Sequence, residues 1–145
     1  MKQLILLLGI AVTGILIASN SAAVDFEKNS EKGIQFRQVT WVEALEAAKK
    51  EDRLIFIDVY ATWCGPCKAM KARTFSDEKA GDVFNQRFVN IAVDGESAEG
   101  LELVGKFGVR AYPTLLFVGA DEKLVGGAEG YHTTDQLLSL SKNVK

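Results

Sequence analysis

Cysteine, proline and histidine are scarce in this chain, and each scarcity closes off a class of function. Two cysteines (Cys64 and Cys67), two prolines (Pro66 and Pro113) and one histidine (His132) occur in 145 residues. A structural zinc site takes four nitrogen or sulfur ligands. A metal on Cys64 and Cys67 within one chain would therefore need carboxylates or a second subunit, and no metal is expected. No cysteine stands at the end of the apolar N-terminal stretch, which argues against a lipid on a new N-terminal cysteine. Charge of one sign is lacking too. Seventeen basic against 19 acidic residues leave a formal charge of −2, too mild to imply nucleic acid or an anionic membrane as partner. There is no internal repeat and no linker that would split the chain. Residues 141–145 carry no endoplasmic-reticulum retention signal. The apolar share, 48%, is that of a globular protein, and the length is enough for one domain with its own core.

What is there is concentrated around the cysteines, in Trp63-Cys64-Gly65-Pro66-Cys67. Upstream, Leu54 to Tyr60 is an apolar, β-branched and aromatic run that reads as a buried strand. Downstream, Lys68-Ala69-Met70-Lys71-Ala72-Arg73 is made of strong helix formers. The thiols therefore sit where a strand hands over to a helix, with Cys64 at the helix mouth. The first helical turn carries unpaired N–H groups and a partial positive charge. A thiolate there is stabilised, its pKa drops, and it becomes a nucleophile near neutral pH. Positions i and i+3 share a helix face, so Cys67 can attack a mixed disulfide formed at Cys64. Pro66 fits the first turn, where a missing N–H is no loss.

Three plainer readings compete. A structural staple closing so short a loop is worth only about 2 kcal/mol in chain entropy. A metal site is short of ligands. An incidental pair of buried cysteines leaves the flanking residues unexplained.

Trp63-Cys64-Gly65-Pro66-Cys67-Lys68 is similar to the active-site motif of thioredoxins, and the resemblance can be followed from about Trp41 to the C-terminus. It implies an α/β thioredoxin fold, a central mixed β-sheet flanked by helices on both faces. It implies that Cys64 is the nucleophile and Cys67 the resolving thiol, cycling between dithiol and disulfide, with Pro66 tuning the redox balance. Asp58, six residues before Cys64, takes the place of a buried aspartate that relays the proton of Cys67 through water. Burial disfavours the charged carboxylate and raises its pKa, which suits a proton shuttle working near neutrality. Thioredoxins often place a lysine near this aspartate on the next strand. A rough register puts Asn90 there, which would leave Asp58 protonated over a wider pH range.

The resemblance further implies that Pro113 is the family's cis-proline, opposite the dithiol. An uncommon cis bond there turns the backbone of Tyr112 outward, where a substrate segment can pair as an added strand; the family's proline also keeps metal from being captured by the cysteines. Tyr112 resembles the tyrosine that disulfide isomerases carry at this place. Gly130 aligns with a glycine that lets substrate pass close to the motif. Trp63, Gly65, Tyr112, Pro113 and Gly130 are the expected substrate-binding residues. A shorter likeness, Thr74-Phe75-Ser76-Asp77, resembles the segment after the motif in the periplasm-facing thioredoxin domain of DsbD, a transmembrane carrier of reductant.

Residues 1–23 read as a secretory signal: Lys2, then an uncharged apolar run from Leu4 to Ala18, then small residues in Ser21-Ala22-Ala23. The run is shorter than the roughly 20 residues that span a bilayer; an uncleaved membrane anchor is the alternative. Export, to a bacterial periplasm or the cell exterior, is expected, and a dithiol there faces an oxidising compartment. Residues 24–33 are polar and charged and are expected to fray, leaving residues 34–145 as the domain.

Along that domain, Ile34-Gln35-Phe36 alternates like a short first strand. Thr40 and Glu43 have capping-box spacing and open a helix to about Lys50. Ser76 is the expected N-cap of the helix that carries Val83 and Phe84 inward. Phe88 to Asp94 is a strand. Leu101, Leu103, Val104 and Phe107, at helical spacing, are expected to face the core rather than form a cofactor box. Leu115 to Val118 is a strand, and residues 120–123 turn into Leu124-Val125. Gly126 and Gly127 suggest a bulge or an early end. His132 is expected to be an exposed loop residue. Thr133 and Gln136 cap a terminal helix.

The function expected is that of an exported thiol–disulfide oxidoreductase, a protein-disulfide reductase acting through Cys64 and Cys67 without a cofactor. Cys-Gly-Pro-Cys favours the reducing end of a range in which thioredoxin and DsbA lie about 150 mV apart. An exported reductant needs electrons, which implies a membrane thiol reductase as partner and disulfide-containing exported proteins as clients. The alternatives are a disulfide oxidase or isomerase, and a thioredoxin fold kept as a chaperone or assembly module. The intact set of Trp63, Pro66, Asp58 and Pro113 argues against the last.

Overall fold

A computed structural model describes residues 32–145. The expected leader, 1–23, and the segment 24–33 other than Lys32 and Gly33 lie outside the described residues. The elements are α1 (Trp41–Glu51), β1 (Leu54–Tyr60), α2 (Gly65–Arg73), α3 (Glu78–Arg87), β2 (Phe88–Asp94), α4 (Ala98–Phe107), β3 (Thr114–Val118), β4 (Leu124–Glu129) and α5 (Thr134–Lys142). The sheet order is β2-β1-β3-β4. β1 runs parallel to β2 and antiparallel to β3, and β3 and β4 form an antiparallel hairpin. Parallel neighbours need a crossover, and α2 with α3 supplies it.

The alternation of β1 divides the core in two. Ile55, Ile57 and Val59 point to one face, where they meet Val89, Ile91, Leu116 and Val118 under α1 and α4. Phe56 points to the other, against Met70 of α2, Phe84 of α3 and Leu137 of α5. Its ring centroid lies 4.7 Å from that of Phe84 and 5.2 Å from that of Phe117. Asp58 shares this second face, so its carboxyl is directed beneath α2. This is the mixed sheet with helices on both faces that the resemblance to thioredoxins implies.

The capping boxes form as expected. Thr40 caps α1 with Glu43 answering its backbone, and Thr133 caps α5 with Gln136. Several local expectations are corrected. Ile34-Gln35-Phe36 joins no ladder: Ile34 N–H donates to Phe75 O at 2.7 Å, and Gln35 N–H donates to the Asn85 side chain at 2.8 Å. The chain enters at Gly33, which is buried at φ +102°, where a Cβ would strike the Phe75 carbonyl. The cap of α3 is Asp77, whose carboxylate accepts Lys79 N–H, while Ser76 Oγ donates back to Ala72 O. Leu101 is 60% exposed, because it lies two residues, about 200° around the helix, from the buried Leu103.

β4 continues through both glycines to Glu129, so it does not end early. The bulge falls at Val125, since Phe117 pairs with Gly126 and Val118 with Leu124. A Cβ at Gly127 would come within 2.7 Å of Leu115 O. His132 is half-buried rather than exposed. Its carbonyl accepts from Thr74 Oγ1 at 2.7 Å, and its Nδ1 lies 2.9 Å from Gly130 O.

Candidate active site

β1 ends at Tyr60, and a short turn through Ala61, Thr62 and Trp63 delivers Cys64 to the start of α2. Cys64 is the N-cap residue. Its backbone is extended (φ −75°, ψ 112°), and its Sγ accepts the N–H of Cys67 at 3.1 Å. Sulfur takes the part that a serine or threonine oxygen plays at other helix starts. Pro66 occupies the first turn, and no acidic residue stands there to oppose the positive helix end. Cys64 and Cys67 are joined in a disulfide with Cα atoms 5.3 Å apart. Both are buried against Ala61, with Tyr60 and Tyr112 packed alongside. A thiolate released at Cys64 would face unpaired N–H groups and the helix dipole.

The opposite wall comes from the chain before β3. The Tyr112–Pro113 bond is cis. The ladder starts only at Thr114, which pairs with Val59 and Glu129, so Tyr112 lies outside the sheet. Pro113 O accepts the N–H of Gly130 at 2.7 Å, and Gly130 is left-handed at φ +84°. These contacts bring Pro113, Gly130 and the cysteine pair to one end of the sheet. The Tyr112 and Trp63 rings meet edge to face with centroids 6.1 Å apart. Trp63 is 64% exposed, and its Nε1 donates to Glu96 Oε1 at 3.0 Å. Gly65, also exposed, has open space where a Cβ would stand.

Behind the pair lies a cavity of about 480 Å³ walled by Asp58, Tyr60, Cys67, Lys68, Lys71 and Gln38 among others. Asp58 is buried, and its Oδ1 has no hydrogen-bond partner among the described residues. Burial pushes its pKa from the ordinary 3.8 up to about 7, against the opposing pull of the Lys71 ammonium. The expected neighbour of Asp58 is corrected: Ala92 stands opposite it, and Asn90 stands opposite Phe56. The Asn90 amide donates instead to Phe84 O and Asn85 Oδ1, each at 3.3 Å. The parallel register moved the residue by two positions, onto the same face but deeper in the core.

Three residues at the site were not singled out from sequence. Glu96 holds Trp63. Gly95 leaves the space that the Tyr112 ring fills. Lys71 faces Asp58 across the cavity. Glu96 and Gly95 follow the C-terminal end of β2, and parallel strands bring such ends together, a signal available in principle. Lys71 is one turn beyond Cys67, on the same helix face. Among the described residues no cluster of three or more His, Cys, Asp or Glu side chains could hold a metal ion. A second cavity, of about 420 Å³, lies beside Phe107 and β4 and touches neither cysteine.

The pattern of the family described as Thioredoxin-like matches residues 35–120. The chain belongs to the thioredoxin-like family. Thioredoxin-1 of Drosophila melanogaster is 34% identical over 100 residues, covering 68% of this chain and 87% of that protein. The thiol:disulfide interchange protein DsbD of Yersinia pestis is 28% identical over 146 residues, which is 97% of this chain but 24% of DsbD. The chain thus spans about a quarter of that relative. Among solved structures, a candidate disulphide-isomerase from Bacteroides thetaiotaomicron superposes with a TM-score of 0.69 at 42% identity, covering 77% of this chain and 93% of that one. The thioredoxin-like chain is therefore a thioredoxin fold of the disulfide oxidoreductase family carrying a Cys64–Cys67 pair. No helix among its described residues is long and apolar enough to cross a membrane.

Proposed function

We propose that the protein is an exported reductant of protein disulfides. The observation that carries this is Cys64 Sγ at the N-cap of α2, bonded by Cys67 N–H at 3.1 Å. A sulfur so placed is the better leaving group and the better thiolate of the two. The Cys64 thiolate attacks one sulfur of a client disulfide, and the other client sulfur leaves as a thiolate. Cys67 then loses its proton to Asp58 and attacks Cys64 Sγ. The Cys64–Cys67 disulfide forms, and the second client thiolate departs with the electron pair. Pro66 in the first turn favours the reducing end of the range. Client backbone pairs beside Pro113, over Trp63, Gly65, Tyr112 and Gly130.

Export is supported by the composition of residues 1–23, and a periplasmic setting by the likeness to DsbD. A reductant there must have its own disulfide reopened, which calls for a membrane thiol reductase as donor. A Cys67→Ala variant is expected to accumulate mixed disulfides through Cys64, visible on non-reducing gels and lost on adding dithiothreitol. If none form with proteins of the native compartment, the reductant proposal fails. A second reading, disulfide isomerase, is favoured by Tyr112 and by the 42% identical neighbour. Isomerase action would re-sort scrambled disulfides without net electron transfer, and the potential would lie nearer about −180 mV than about −270 mV.

A further inference from the structure

We propose that Lys71 is a positioning residue for proton transfer at Cys67: its ammonium, on the wall of the cavity that Asp58 and Cys67 share, holds the Asp58 carboxylate in its charged, proton-accepting form. The inference rests on the dithiol chemistry proposed above and assigns a residue that this chemistry does not by itself require.

The geometry begins with the fold. Asp58 is flanked in the sheet by Ala92 of β2 and Leu115 of β3, neither of which carries charge. Asn90 is turned away to Phe84 and Asn85. The leading segment brings Phe36 and Gln38 to the cavity, and β1 adds Tyr60. The titratable groups facing Asp58 are therefore Tyr60, Cys67, Lys68 and Lys71. A phenol and a thiol carry no positive charge in either protonation state, so positive charge comes from α2 alone.

Of the two lysines, Lys71 follows Cys67 by four residues and so stacks on the same helix face, whereas Lys68 is turned about 100° away. The Lys71 ammonium is also the charge that opposes the effect of burial on Asp58. A carboxylate that is to take the Cys67 proton must be ionised when the mixed disulfide forms. The unpartnered Oδ1 of Asp58 has no hydrogen bond to keep it so. When Cys67 Sγ–H gives its proton to Asp58, its thiolate bonds to Cys64 Sγ, the bond from Cys64 to the client sulfur breaks, and the client leaves with that electron pair. The positive charge acts on the proton acceptor and touches none of the reacting sulfurs.

The test compares Lys71→Met, Lys71→Arg and Lys68→Met in the full chain. Lys71 is exposed on a helix, so each variant keeps helix-forming character. The Asp58 carboxyl is titrated by carbon NMR in the disulfide form. The pH profile of client release from the mixed disulfide is measured separately. In Lys71→Met the titration midpoint should rise by about one pH unit, about a fivefold loss of carboxylate at neutrality. The acid limb of the release profile should move with it. Lys71→Arg should restore both, and Lys68→Met should move the midpoint less. An unmoved midpoint in Lys71→Met, an equal shift in Lys68→Met, or slower release at every pH with no displaced limb would overturn the proposal. The titration needs no client. A shifted midpoint in a protein that reduces nothing sinks the reductant reading and leaves the Lys71–Asp58 pairing standing. An active protein with no shift sinks the pairing alone.

Discussion

An Asp58→Asn variant is expected to gain on the parent by on the order of 4 kcal/mol between pH 3 and pH 8, the gain developing as pH rises from about 4 to about 7. The sign follows from the two states. Below pH 3.8 the carboxyl is protonated in both the folded and the unfolded chain, and pH has no leverage. Between 3.8 and about 7 the unfolded chain releases the proton while the buried group keeps it. Folding then requires proton uptake, so the parent loses stability as pH rises. Above about 7 both states are ionised, and the full cost of a buried carboxylate is in place. Asparagine has no such dependence. Urea denaturation of both proteins from pH 3 to 9 gives the difference curve. The slope of that curve decides, because the amide brings hydrogen-bonding needs of its own that offset the absolute value. A flat difference would mean that Asp58 is hydrated and titrates as an ordinary carboxyl. A gain in stability paired with slower disulfide exchange would show that the aspartate is kept for its chemistry at the expense of the fold.

The second large effect is expected at Cys64. Cys64→Ser should remove all turnover above the rate of free thiols while leaving the fold intact. Serine is among the best N-cap residues, so its hydroxyl can accept the Cys67 N–H that the sulfur accepts now. The start of α2 is thereby preserved. A serine hydroxyl does not ionise near neutrality, so the attacking anion is gone. Insulin-type disulfide reduction and circular dichroism, measured on the same preparation, separate the two consequences. A folded variant that still processes clients would hand the function to the surface of the fold rather than to its sulfur, as an assembly module requires. Cys67→Ser differs in kind, since the first attack survives and only release is lost.

Much of this architecture was legible in the chain because its signals are local. The run Leu54–Tyr60 carries β-branched side chains on one face and aromatic ones on the other, as a strand covered on two sides can. Thr40 with Glu43, and Thr133 with Gln136, announce helix starts by side chains that reach three residues. The cysteine spacing and its flanks place the dithiol at a helix mouth, where it is found. Most of what failed depended on partners distant in sequence. Ile34-Gln35-Phe36 has a strand's alternation, but its N–H groups are taken by Phe75 O and Asn85. Ser76 and Asp77 are both good caps, and the choice fell to Asp77 once the Ser76 hydroxyl turned back to Ala72. The register of β2 against β1 carries no local mark, so sequence alone does not separate Asn90 from Ala92 as the neighbour of Asp58. In sequence Lys71 is one more helix-forming lysine, because only the packing of α2 over the second face of β1 brings it to Asp58.

One sulfur closes the opening turn of α2 and also enters the reaction. The amide proton of Cys67 is therefore a built-in gauge of catalytic state. Its exchange with solvent deuterium should be slowest when an anionic sulfur accepts it and faster when a client occupies Cys64. The enzyme's progress could be followed from that single backbone position, with no label on the client and no dye on the protein.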